Sequence, residues 1–339
     1  MNRLRFGSLA VAVAFGLQSA PAQQPYQVLD HWKIGGTGGW DYLLADSAAH
    51  RLYVTHNSRV EVLDTQTGAA VGAISGLKGT HGVALDDAGQ FGYISDGGAN
   101  AVVVFDRKTL ATVATIPAGT NPDGITFEPV TKTVWAFNGR SNNVTVIDTA
   151  SRSVIATIAL PGKPEFPQPD GQGHVFANIE DKNSIVALDS RTKALTATWK
   201  LSNCESPSGL AIDRAHSQLF AVCDEKKMAV VDTKTGKQVG TAAIGDGPDA
   251  AAFDPKHQLA FASSGDGVLT VVDTSSGFKT IESLPTMKGA RTMAYDEAAD
   301  RAYVVSAEMG ARPAATAANP RPRPAILPDT FQVLVIGRK

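Results

Sequence analysis

Gly82-Val-Ala-Leu85, Asp86-Asp-Ala-Gly89, Phe91-Gly-Tyr-Ile-Ser95, Asp96 to Asn100, Ala101-Val-Val-Val-Phe105, Asp106-Arg-Lys-Thr109 and Leu110 to Ile116 follow one another without a break. β-forming runs alternate with Gly-, Asp- and Asn-rich turn chemistry. Four short strands joined by tight turns read as an antiparallel meander. No helical period interrupts them and no stretch is long enough for a crossover helix, which disfavours a parallel βαβ arrangement.

The same unit recurs along the chain. Its marker is two or three β-formers followed by Asp, as in Val62-Leu63-Asp64, and it returns at Asp106, Asp148, Asp189, Asp232 and Asp273 with gaps of 42, 42, 41, 43 and 41 residues. A fixed period near 40 marks a repeat architecture in which strands form the scaffold and loops carry variation. The first strand of each unit has small residues at alternate positions, as at Gly82 and Ala84, Gly124 and Thr126, Gly209 and Ala211, and Ala250 and Ala252. Small side chains are needed where sheets converge on an axis. The expected fold is therefore all-β, a seven-bladed β-propeller of four-stranded antiparallel blades.

The seventh unit begins at Ala290, and its third strand is expected over Phe331 to Ile336, with Gly337 where the other units carry Asp. That leaves the unit one strand short. Gln27 to Ile34 has the character of a fourth strand, so closure is expected by N-terminal strand pairing with the C-terminal blade. Closing the ring removes exposed sheet edges.

The ends and the composition narrow the setting. Arg3 and Arg5, an apolar core from Leu9 to Leu17 and Ala20-Pro21-Ala22 read as a signal peptide over residues 1–22, leaving residues 23–339 as one propeller domain. Cleavage there takes the formal charge from −2 to −4, a mild value that exerts no general pull on nucleic acid. No other apolar run is long enough for a membrane span. The expected location is periplasmic or secreted, and the expected state is a monomer. Cys204 precedes the first strand of the fifth unit and Cys223 ends its second strand, on the same face, so the two are placed to form a disulfide.

Several segments resemble the YVTN family of β-propellers. Tyr53-Val-Thr-His56 differs by one residue from the motif that names the family. Asn142-Asn-Val-Thr-Val-Ile-Asp-Thr149 with Val154-Ile-Ala-Thr-Ile158, and Val113-Ala-Thr-Ile-Pro-Ala-Gly119 with Asn121-Pro-Asp-Gly124, are similar to its consensus. The resemblance covers nearly all of residues 23–339. It implies an exported propeller, in a family some of whose members bind nucleic acid or cell-surface ligands. It leaves the activity open, since propellers host binders, lactonases, lyases and redox enzymes.

In a meander, the loops between second and third strands share a face with the connections that lead into each first strand. Call this the top. Each first-strand turn ends in an acid: Asp46, Asp86, Glu128, Asp170, Asp213, Asp254 and Asp296. Counting back from these acids aligns one residue per blade at the top of the central channel: Asp41, His81, Asp123, Glu165, Ser208, Asp249 and Arg291. Such a ring offers ligands for a divalent cation, calcium or zinc, or for a cationic or polyhydroxylated molecule. It also offers acid–base chemistry through His81. Wet channel mouths equally collect polar residues with no ligand. His56, at the top of the first blade, is expected to join His81, Asp41 and Asp123 in any metal cluster. The other histidines are expected to be solvated. No CxxCH for haem and no ring of histidines for copper is present.

Two segments break the pattern. Gly162-Lys-Pro-Glu-Phe-Pro-Gln-Pro169 places three prolines in an innermost strand, which predicts a distortion there. Residues 310–328, rich in Pro, Ala and Arg, read as an insertion on the top face of the last blade, able to reach over the mouth or to meet an acidic partner. The functional expectation is a binding scaffold whose top-face channel mouth takes a small molecule, a peptide or a cell-surface polymer. The alternative is a metal-dependent, lactonase-like hydrolase with a carboxylate-ringed cation. A redox enzyme would need a quinone or haem site that no motif supplies. Single-stranded nucleic acid favours a basic groove with aromatics, which the acidic ring opposes.

Overall fold

A computed structural model describes residues 24–316, 322 and 324–339. The expected signal peptide lies outside the described residues, as do residues 317–321 and 323 of the insertion, with Arg321 and Arg323 among them. Among the described residues the regular elements are all strands, apart from two short 3₁₀ turns, Gly97–Ala99 and Glu180–Lys182. The strands group into seven four-stranded antiparallel sheets. Their innermost strands are, in order, Trp40–Asp46, Thr80–Leu85, Pro122–Glu128, Pro164–Pro169, Leu210–Asp213, Pro248–Asp254 and Met293–Asp296. These define blades 1 to 7. Among the described residues, no helix is long and apolar enough to cross a membrane.

The recurring acids explain why the chain turns where it does. Asp64 accepts backbone N–H bonds from Gln66 and Thr67 and the Thr67 hydroxyl at 2.9 Å. Asp106 does the same with Lys108 and Thr109, and Asp232 with Lys234 and Thr235. One carboxylate thus supplies the acceptors the turn backbone needs after these third strands, a side-chain mimic of a backbone turn. The first-strand acids do equivalent work two turns earlier. Buried Glu128 accepts from Val130 and Thr131, and Asp296 from Ala298 and Ala299.

The hydrophobic core is distributed between the blades. Seven apolar clusters fill the seven inter-blade contacts. Trp135, Phe137 and Val146 of blade 3 meet Val175, Ala177 and Leu188 of blade 4 in one of them. Second and third strands are covered on both sides by neighbouring blades, which is why they read as continuous apolar runs. Towards the axis the sheets crowd. A Cβ on Gly209 would lie 2.6 Å from the Ala250 backbone, so the small residues of the inner strands are a packing requirement.

Gln27–Lys33 pairs antiparallel with Gln332–Gly337 as the outermost strand of blade 7, so the two tails close the ring within one sheet. The third strand of that blade sits one residue later than expected. Cys204 and Cys223 are joined by a disulfide with a Cα–Cα distance of 5.2 Å, both in the cluster between blades 4 and 5. Blade 4, with three prolines in its inner strand, departs from the other blades as expected in one respect: Phe166 is held at φ 44°, while the slip in pairing between Glu165 and Gln168 has counterparts in other blades. Part of the last-blade insertion is tied by a bridge between Met309 and Ile326.

Candidate functional site

The mouth residues owe their direction to a repeated irregularity. Pairing between first and second strands slips between Trp40 and Leu43, Thr80 and Val83, Pro122 and Ile125, and Pro248 and Ala250. Asp41, His81, Asp123 and Asp249 lie in these bulges. A bulge frees a side chain from strict alternation and re-aims it. In blades 5 and 7 the inner strand begins later, at Leu210 and Met293, so Ser208 and Arg291 lie in the connections just ahead of it.

Polar groups near the ends of the second strands then fix the backbone of the ring. The Ser95 hydroxyl accepts from the Gly82 N–H at 2.8 Å and donates to the Asp123 carbonyl in the next blade. Asn178 donates to the carbonyls of Ser208 and Gly209, and Ser263 to that of Arg291. Thr55 holds Asp41 and Tyr42 within blade 1. Each clamp but the last spans two blades, so the ring is set by the assembly of the propeller.

Asp41, Asp123, Glu165, Ser208, Asp249 and Arg291 converge on one cavity of about 240 Å³, which Tyr42, Lys163 and Glu180 also line. His81 stands at its edge. Its Nδ1 lies 2.6 Å from Asp41 Oδ2 and 3.5 Å from Asp123 Oδ1. One ligand atom from each of Asp41, His81 and Asp123 falls within 4.8 Å of the others. Across the cavity Lys163 Nζ is 2.8 Å from Glu165 and also contacts Glu180, while Arg291 Nη1 is 3.3 Å from Asp249. The Ser208 hydroxyl is tied to the Pro248 carbonyl at 3.0 Å.

Five carboxylates face three cations here, and proton affinities register the excess. Burial raises Asp123 well above the usual carboxylate range, with Glu165 and Asp41 adding to it against the pull of His81 and Lys163. Burial also raises Glu165, although Lys163 opposes it. Asp249 is pushed up to about 7 by burial, against Arg291 and with help from Asp41, Glu165 and Glu180. Burial works against a charged His81, but the Asp41 hydrogen bond and the charges of Asp123, Asp41 and Glu165 outweigh it and push the imidazole up to about 9. The arrangement is a preformed acidic cavity short of positive charge.

The cavity has a floor. The Tyr42 and Phe166 rings meet at 4.9 Å, and both residues border the acidic cavity above and a second, wider cavity below. The Tyr42 hydroxyl donates to Glu165 at 3.2 Å. The strained φ of Phe166 is what carries its ring to this position; a bulky residue at positive φ persists only where its surroundings enforce it.

Two expectations need correction. His56 does not join His81, Asp41 and Asp123. Its ring is buried against Phe331, 4.3 Å between centroids, and its Nδ1 is 3.6 Å from Glu61. It ends a second strand and is drawn into the contact between blades 7 and 1. His257 is not simply solvated: it bonds Asp254 at 2.5 Å and lies 2.9 Å from Arg338, next to Asp300. Lys163, Glu180 and Tyr42 were not anticipated in the site. For the first two, the departure of blade 4 from the common pattern, Lys-Pro-Glu in one loop and Glu-Asp-Lys in the next, is the signal that marks them.

No protein-family pattern matches the chain, and no curated protein matches it. Solved structures do. The chain is similar to hydrazine synthase of Kuenenia stuttgartiensis, at 16% identity and a TM-score of 0.70, over 86% of this chain and 96% of that one. It is similar to U3-55K at 8% identity and a TM-score of 0.72, over 93% of this chain and 98% of that one. At these identities the likeness is one of fold, and by fold the chain is a seven-bladed β-propeller.

Proposed function

We propose that the protein is an exported binding propeller whose top channel mouth takes a positively charged group, an amine or a divalent cation, presented by a small molecule, a peptide or a surface polymer. The observation that carries this reading is the set of three carboxyls, buried Asp123 and partly buried Glu165 and Asp249, held above the ordinary range in one cavity. A bound cation supplies the missing charge, returns the carboxyls to their ionised form and releases protons. The signal peptide, a periplasmic or secreted location and membership of the YVTN family belong to the same proposal. The repeat motifs and the disulfide support them, since disulfides persist in oxidising compartments.

The test is calorimetry on the purified protein with calcium, zinc and spermidine, in two buffers of different ionisation enthalpy. Binding with proton release that Asp123→Asn and Asp249→Asn each weaken supports the reading. No heat with any of the three at millimolar concentration overturns it.

A second reading, a metal-dependent lactonase-like hydrolase, draws on the closeness of Asp41, His81 and Asp123. Those residues would hold the cation as a Lewis acid, and Glu165, already protonated more readily than usual, would move the proton. Lactone opening that depends on added zinc or calcium and disappears in Asp41→Asn would favour it over binding alone.

A further inference from the structure

A second cavity, of about 400 Å³, lies beside the channel mouth where blade 7 meets blade 1. Its chemistry is opposite to that of the acidic one. Trp40 forms one wall, braced by stacking on Phe331 at 5.2 Å between ring centroids. Met309 and Ile326, joined by their backbone bridge, form another. Two guanidinium groups border it, Arg291 and Arg312. Arg291 is shared with the acidic cavity, where it faces Asp249. Arg312 is exposed, and no hydrogen bond or ion pair engages it among the described residues.

Two glycines keep this space open. Gly289 sits at φ +83°, and a Cβ there would come within 3.3 Å of Met309 Cε and 3.9 Å of Trp40 Cζ2. A Cβ on Gly39, whose backbone accepts any residue, would meet nothing within 4 Å. The volume is that of a small-molecule site, with a flat apolar wall and few polar groups, which fixes what it can hold.

We propose that this cavity is a binding site for a small aromatic monocarboxylate, its ring against Trp40 and its carboxylate between Arg312 and Arg291. A guanidinium matches a carboxylate in shape and charge. Arg291 is already half neutralised by Asp249, so the site presents little more than one free positive charge. A dianion would in addition meet the field of Asp249 and Asp123 next door. A monoanion is therefore preferred over a phosphate monoester.

The test uses 3-phenylpropanoate, phenyl phosphate and phenethylamine as probes, followed by calorimetry and tryptophan fluorescence. The expected result is binding of 3-phenylpropanoate, tighter than phenyl phosphate. It should weaken about tenfold in Arg312→Ala, the loss of one charge-assisted contact, and vanish in Gly39→Trp, which fills the cavity from a position that strains nothing. Both variants should melt with the unmodified protein. Absence of 3-phenylpropanoate binding at millimolar concentration overturns the proposal, as does binding that neither variant alters, or tighter binding of phenyl phosphate. The proposal does not depend on the cation site: phenethylamine and Asp123→Asn report on that cavity alone, so either site can fail while the other stands.

Discussion

At the scale of single residues, the channel mouth makes the protein sensitive to pH in a direction the charges dictate. His81 is raised from 6.5 to about 9, so the fold favours its protonated form. The stability this contributes is fully present below pH 6.5 and is lost as pH rises through 9. Asp249, raised from 3.8 to about 7, works in the same sense: its charging is disfavoured in the fold, so stability falls as pH rises from the ordinary carboxylate range towards 7. Thermal melts should therefore fall between pH 6 and 9 in the unmodified protein. In His81→Ala the part above pH 6.5 should flatten, while a midpoint with the same slope in both proteins would contradict the geometry of the ring. Cation binding should strengthen over the pH 6 to 8 range as Asp249 loses its proton, which calorimetry at the two values checks.

At the scale of elements, the inner strands and the disulfide carry separate predictions. Gly209→Val forces a side chain against the Ala250 backbone, so overpacking should cost about 1–3 kcal/mol, read from urea unfolding. Cys204→Ser removes a cross-link between residues 19 apart and should cost on the order of 3 kcal/mol, with no change in the propeller's far-ultraviolet spectrum. The blades were legible in the sequence because each is encoded locally: Asp64 and its counterparts mark the turns by their own hydrogen bonds, and Gly82 or Gly209 mark the crowded strand. Counting back from the turn acids picked out six residues that line one cavity, with His81 beside them. Their partners were not legible. Side-chain direction at a bulge escapes the alternation rule. That is why the pairing of His81 with Asp41 and the meeting of Tyr42 with Phe166 had no sequence signal. Lys163 and Glu180 reach the site from loops whose placement depends on the whole ring.

At the scale of the whole molecule, closure rests on the tails. Tyr26 packs edge-on against Phe261, its hydroxyl donates to Asp300 at 3.3 Å, and its ring carries the Arg338 guanidinium at 4.7 Å. Arg338 bonds Asp300 at 3.0 Å and approaches Asp254 at 3.9 Å, so the segments at Tyr26 and at Arg338 are both fastened to the contact between blades 6 and 7. Arg338→Ala leaves these acids without their cation and should cost about 3 kcal/mol. Removing residues 24–33 strips the outer strand from Gln332–Gly337 and with it Trp32. The melting temperature should drop by more than about 5 °C, given several kcal/mol of lost apolar burial. Unchanged melting after that truncation would mean that the ring does not need its fastening.

The pair of rings at Tyr42 and Phe166 also decides how anything leaves. They turn the axis into a blind well, open on one side, so an occupant must back out along the path by which it arrived. Its dwell time is then set by the rim, where Lys163 and Arg291 stand partly in solvent. Molecules too long for the shaft can still insert a charged tip and trail outside, which suits the end group of a polymer as well as a free amine.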